Sequence, residues 1–191
     1  MSILLHTQTF TAGIDEAGRG PLAGPVVAAA VIFKGPVSCV LGDSKSLSHS
    51  DKEDSFRHIS QHHHWSVGLV SAKEIDVLNI RMATLLAMKR ALMLLPITPT
   101  QVLIDGRDTI DTTLPQQAII KGDQLVPEIQ AASIIAKVYR DRIMDMIAAL
   151  YPSYGFSQHK GYGTAYHRQT INSLGPCPQH RMSFDPMREM V

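Results

Sequence analysis

The sequence predicts an α/β layer fold. Three observations carry that prediction: short runs rich in Val, Ile and Ala bounded by glycine, longer stretches with apolar residues at helical spacing, and the alternation of the two along the chain. Residues 11–15 form the first strand-like run, and 25–33 (PVVAAAVIF) the second. The second run is apolar throughout rather than alternating, so it predicts a strand covered on both faces. Residues 50–62 are polar with Phe56 and Ile59 interspersed, which predicts a short surface helix with His62, His63 and His64 at its solvated end. Residues 66–70 read as another strand. Ile75, Leu78, Met82, Leu85, Leu86 and Leu92 recur at helical spacing, a single helix ended by Pro96. QVLID (101–105) and QAIIK (117–121) read as strands. Ile129, Ala132, Ala136, Tyr139, Ile143, Met146 and Leu150 make one apolar stripe on a long helix, with Pro127 in its first turn and Pro152 beyond its end.

Composition narrows the classes. The chain has 191 residues, 45% of them hydrophobic and 18% charged, enough to bury a core and exclude disorder as the main state. Eighteen Lys and Arg stand against 17 Asp and Glu, so bulk charge does not bind nucleic acid and any such site is a local patch. Two cysteines, Cys39 and Cys177, make no disulfide framework and suit a reducing compartment. The Ile3-Leu4-Leu5 start is too short for a signal segment, and no run approaches a membrane span. The expectation is a cytoplasmic, monomeric, single-domain protein without membrane contact: an α/β core over about 1–150 and a region over about 151–191 that contributes to substrate binding. From residue 137 onward seven bases face four acids, a basic end suited to a phosphate backbone.

The acids carry the chemistry. Asp15 and Glu16 end the first strand, Asp105 ends QVLID, and Asp123 follows QAIIK. Ligands gather at the C-terminal edge of strands in open α/β sheets. Asp105 or Asp123 alone reads as an ordinary turn former or helix cap beside glycine, and only the four together favour a metal site. Four carboxylates at one edge repel unless hard divalent cations neutralise them, and oxygen ligands suit Mg²⁺ or Mn²⁺. Two such cations stabilise both the attacking and the leaving oxygen of a phosphodiester displacement. Consecutive strand residues point to opposite faces, so Asp15 and Glu16 share a site only if the strand ends or bulges there, or if one contributes its backbone carbonyl. Gly18-Arg19-Gly20 follows: either an ordinary hairpin loop, or a main chain that approaches nucleic acid closely enough to read a ribose hydroxyl.

GIDEAGRGPLAGPVVAAAVI (13–32), DSKSLS (43–48), LIDGR (103–107), KGD (121–123), AASIIAKVYRD (131–141), YGFSQHKGYGT (154–164) and HRMSF (180–184) together resemble the ribonuclease HII family across nearly the whole chain. The resemblance implies a ribonuclease-H-like fold: a central mixed sheet flanked by helices, with a small helical C-terminal region. It implies an endonuclease that cuts the RNA strand of RNA–DNA hybrids. It also implies incision 5′ to a ribonucleotide embedded in duplex DNA, leaving 3′-hydroxyl and 5′-phosphate ends, as part of ribonucleotide removal. Carried over by motif, the carboxylates are Asp15, Glu16, Asp105 and Asp123; Gly18, Arg19 and Gly20 sense the 2′-hydroxyl; and Tyr162 stacks on the deoxyribose after the ribonucleotide. Gln124, Gly163 and Leu174 depart from the family pattern, though none is a carboxylate of the set. Asp123 at the fourth position, and the short lead before the motif, separate the chain from the sister ribonuclease HIII family. No obvious clamp-binding motif follows HRMSF, so the expectation does not include a sliding-clamp partner.

Other polar residues admit two readings. Lys45, Ser133 and Lys137 either grip phosphates or are structural or solvated; Ser133 and Lys137, four apart, share a helix face. Arg181 either covers a basic face or pairs with Asp185. A non-catalytic hybrid-binding module and a junction resolvase of the same fold are the competing functions. Cutting of a ribonucleotide-containing duplex, against an all-DNA control, separates them.

Overall fold

The structure, a computed structural model, describes residues 9–42 and 47–190. Its sheet has the order β3-β2-β1-β4-β5, formed by β1 (Thr11–Ala17), β2 (Val26–Ile32), β3 (His64–Val70), β4 (Gln101–Asp105) and β5 (Gln116–Ile119). β1–β2 and β2–β3 pair antiparallel, β1–β4 and β4–β5 parallel, so the sheet is mixed. Every residue of β2 is buried, as its unbroken apolar run predicts for a strand between two neighbours and under two layers.

The layers are helical. On one face α5 (Pro127–Leu150) and α1 (His49–His62) pack over Ala29 and Val31. On the other face α3 (Ile80–Met93) covers Ile14, Ala28 and Ala30 through Ala83, Ala87, Met88 and Ala91. Gly13 is needed for the first contact, because a Cβ there would stand 2.2 Å from the Glu128 carbonyl carbon at the head of α5. Pro127 opens α5 at its first turn, where its missing N–H costs nothing. Among the described residues no helix is long and apolar enough to cross a membrane.

Several expectations are corrected. The single helix over 75–92 is two, α2 (Ala72–Leu78) and α3, broken at Asn79 with φ 66°. Its ψ of 161° puts this residue outside the left-handed helical region, in a sparsely populated conformation, and its side-chain oxygen accepts the Met82 N–H at 3.1 Å, capping α3. Along α5 the predicted stripe drifts out of the core: Met146 and Leu150 are exposed, while Met144 and Ile147 are buried. Steps of three and four average less than the helical repeat, so a stripe that starts inward rotates away. The strand of QAIIK stops at Ile119. Lys121 then turns left-handed, with φ 59°, into the one-turn helix α4 (Gly122–Leu125) that carries Asp123. His63 is buried rather than solvated, its Nδ1 accepting the Lys34 N–H at 3.3 Å. Beyond α5 the chain folds into short helices, among them α6 (Phe156–His159) and α7 (Ala165–Leu174).

Replacing Gly13 by Ala forces β1 and α5 apart against backbone atoms that cannot yield. The expected loss is about 1–3 kcal/mol, read as a lower urea midpoint with an unchanged slope.

Candidate active site

The carboxylates meet where two strands part. β1 pairs with β2 as far as Ala17↔Val27, but its ladder to β4 stops at Ile14↔Ile104. Past Ile14 the β4 side of β1 is open, and Asp105 stands at the end of β4 beside the gap. Ile14 faces the α3 layer and Gly13 the α5 layer. By alternation Asp15 rises on the α5 face and Glu16 on the α3 face. The strand neither ends nor bulges at Glu16, contrary to the sequence expectation. The acids reach each other around its open edge. One carboxylate oxygen each from Asp15, Glu16 and Asp105 lies within 4.8 Å of the others, and no other such group occurs among the described residues.

The arrangement is electrostatically costly. Burial, then the Glu16 and Asp105 charges, push the Asp15 carboxyl well above its ordinary range, against the pull of a Ser133 hydrogen bond. Burial also raises Glu16, with Arg19 opposing and Asp105 adding to the rise. The Glu16 N–H donates to Asp15 Oδ1 at 2.7 Å, and Arg19 Nη1 reaches Glu16 Oε1 at 3.4 Å. A cluster of oxygen donors with surplus negative charge fits a hard divalent cation. Asp123 joins from α4: its N–H donates to Asp105 Oδ1 at 3.3 Å, and its side chain is buried. A cavity of about 240 Å³ gathers the four carboxylates, Gly18, Arg19, Gly20, Ser133, Lys137 and Tyr162. Lys45 lies outside the described residues. Ser133 and Lys137 are both engaged within the protein, the first with Asp15 and the second with Asp141 at 2.8 Å.

Two buried arginines build the glycine turn: Arg181, read from sequence as covering a basic face or pairing with Asp185, and Arg140, counted there only among the bases of the C-terminal segment. Arg181 is fully buried. Its guanidinium donates to the carbonyls of Gly24 at 3.0 Å, Arg19 at 2.9 Å and Gly18 at 2.5 Å. It does not pair with Asp185, which takes Arg188. Arg140, also fully buried, donates to Pro25, Lys160 and Ala23 at 3.0, 3.0 and 3.2 Å. Desolvation lowers both cations, Arg181 to about 9, and carbonyl dipoles take the place of water. Gly18 is obligatory here: its φ is +96°, and a Cβ would stand 2.0 Å from Arg140 Nε. These buried arginines also leave the basic end smaller than its sequence suggests. Its Lys137, Lys160 and Arg188 are ion-paired with Asp141, Asp145 and Asp185.

Known proteins bear on this geometry. The ribonuclease HII family profile matches residues 12–187. A ribonuclease HII of Halorhodospira halophila is 50% identical over 183 residues, 94% of this chain and 93% of that one. The ribonuclease H2 of Pyrococcus horikoshii OT3 superposes with a TM-score of 0.78 at 26% identity, covering 95% of this chain and 97% of that one. The ribonuclease HII solved in complex with PCNA from Archaeoglobus fulgidus gives 0.76 at 28%, covering 92% and 95%. The mixed sheet with its acidic edge thus defines the class, a hydrolase of the ribonuclease-H-like fold. Within that class the chain belongs to the ribonuclease HII family, divalent-metal-dependent endoribonucleases that act on RNA–DNA.

The segment between α6 and α7 supplies Tyr162, which is 44% exposed. Its carbonyl is held by His167 Nδ1 at 2.9 Å, and His167 Nε2 meets His180 Nε2 at 3.0 Å. His159 stacks on His167 with ring centroids 4.2 Å apart. The short region reads as Gly- and His-rich loop in sequence, and no spacing rule reveals that its imidazoles stack. Burial pushes His167 from 6.5 down to about 4. The unfolded chain therefore takes up this proton first, so the stabilising effect is complete above pH 6.5 and is lost as pH falls toward about 4. Wild type is expected to lose up to about 1.4 kcal/mol more per pH unit than His167→Asn across that window. Urea melts of both proteins at stepped pH check it.

Proposed function

We propose that this protein hydrolyses the RNA strand of RNA–DNA hybrids and incises duplex DNA 5′ to single embedded ribonucleotides, leaving 3′-hydroxyl and 5′-phosphate ends. The observation that carries the reading is the meeting of Asp15, Glu16 and Asp105 oxygens within 4.8 Å at the open strand edge. Asp15, Glu16, Asp105 and Asp123 are the residues that would hold two divalent cations, Mg²⁺ or Mn²⁺. Cations there would supply Lewis acidity, offsetting charge on the attacking and leaving oxygens of the phosphodiester.

The protein's own groups do the rest. Ser133 keeps its hydroxyl on Asp15 and so orients that carboxylate rather than a phosphate. Gly18, Arg19 and Gly20 bring main chain against the ribose 2′-hydroxyl, on a turn that Arg181 and Arg140 clamp from behind. Tyr162 offers its ring to the deoxyribose following the ribonucleotide, which places the cleaved strand's 3′ side over the C-terminal helices. Lys137 exchanges Asp141 for a substrate phosphate, and Lys45 supplies another phosphate contact. The protein works as a cytoplasmic monomer in ribonucleotide removal during DNA replication and repair, and residues 1–191 act as one catalytic domain.

Asp15→Asn or Asp105→Asn is expected to cut cleavage of a single-ribonucleotide duplex by at least about a hundredfold. Stability is expected to hold or rise in the Asp15 variant, because that charge is disfavoured where it sits. Near-normal turnover in either variant would refute the assignment; an all-DNA duplex is the control. Tyr162→Ala is expected to slow incision at single ribonucleotides roughly tenfold, the scale of one lost stacking contact. Its melting temperature should barely move, since the ring is half exposed, and single-turnover rates read the difference.

A further inference from the structure

The carboxylate cluster opens on two sides of the sheet edge. The cavity with Tyr162, Ser133 and Lys137 lies on the α5 side. On the α3 side a narrower cleft shares Glu16, Arg19 and Asp105 with it and adds Arg81, Arg107 and Asp108. Three guanidinium groups therefore stand in one cleft beside the acids. Two are restrained. Arg81, in the first turn of α3, makes a two-point bond to Asp108, Nε to Oδ2 at 3.0 Å and Nη2 to Oδ1 at 2.6 Å, yet its side chain stays 62% exposed. Arg19 leans on Glu16. Arg107, from the turn after β4, is exposed and has no partner among the described residues.

An arginine two residues from Asp105 that bonds to nothing among the described residues is not explained by them. A nucleic-acid strand crossing the cluster explains it. Such a strand carries a negative charge on every nucleotide, and a strand entering by the Tyr162 cavity leaves over the α3 side. Asp108 is paired with Arg81 and Glu16 with Arg19, and the remaining charge of the cluster faces the cations it would hold, so the guanidinium left for an arriving phosphate is that of Arg107. The planar guanidinium matches phosphate oxygens two at a time. The pairing with Asp108 holds Arg81 in one rotamer before the strand arrives.

We propose that the cleft between α3 and the turn after β4 is a phosphate subsite for the cleaved strand on the 5′ side of the cut, with Arg107 as its principal contact and Arg81 as a pre-oriented second. The 5′ assignment rests on the proposed placement of Tyr162 on the 3′ side.

The test measures cleavage kinetics with Mg²⁺ on two duplexes, each carrying one ribonucleotide. One has a long arm 5′ to it; in the other that arm of the cleaved strand is trimmed to the nucleotide at the cut. On the long-arm duplex Arg107→Ala should raise KM about tenfold with kcat little changed, the size of one lost charged hydrogen bond. The slope of log affinity against log salt should become shallower by about one unit. On the trimmed duplex variant and wild type should coincide. Arg107→Lys should recover the salt slope but only part of KM. The melting temperature should not move, whereas a structural role for Arg107 would lower it. An unchanged KM and salt slope, an equal penalty on both duplexes, or a lower melting temperature would overturn the subsite while leaving the ribonuclease reading intact. Failure of the wild type to cut either duplex would overturn that reading, and the subsite with it.

Discussion

Carboxylates whose oxygens come within 4.8 Å of one another repel, and burial of Asp15 and Glu16 sharpens the repulsion by removing water. The surroundings of the site answer that one constraint. The Glu16 N–H and the Ser133 hydroxyl each place a donor on Asp15, the Asp123 N–H does the same for Asp105, and Arg19 leans on Glu16. These contacts hold the acids in place without cancelling their charge. The surplus that remains is what a divalent cation, and then a substrate phosphate drawn to it, would neutralise.

The glycine turn depends on a second device of opposite sign. Arg140 and Arg181 lie in the interior, and six main-chain carbonyls between Gly18 and Lys160 accept their hydrogen bonds. Removing either guanidinium would orphan several carbonyls at once, a larger cost than the loss of one surface contact. Because the two arginines come from α5 and from the segment after α7, the turn is fastened to both the sheet layer and the C-terminal region. Its shape is thus set by residues more than a hundred positions away. Tyr162 is fixed from the same side, through His167 and His180.

Parts of this were open to sequence reasoning and parts were not. The β2 run showed its burial on both faces because no polar residue interrupts it. Pro127 marked the start of α5 because only a first turn accepts it. The break at Asn79 was hidden, since one residue with a positive φ leaves the apolar spacing on either side intact. Arg181 was hidden more deeply: a charged residue between His180 and Met182 has every mark of a surface position, and its partners are carbonyls, which no sequence distinguishes.

The amino-acid sequence by itself determined the alternation of strands and helices, the identity of the acids and the glycines, and the family to which their order belongs, because these follow from residue type and spacing. Only the tertiary structure decided how Asp15 and Glu16, on opposite faces of one strand, share a site. That outcome depends on β4 leaving β1 three residues before β2 does, at Ile14 rather than Ala17. Strand registry is a property of paired backbones, and it is set by packing across the whole sheet rather than by any local run of residues.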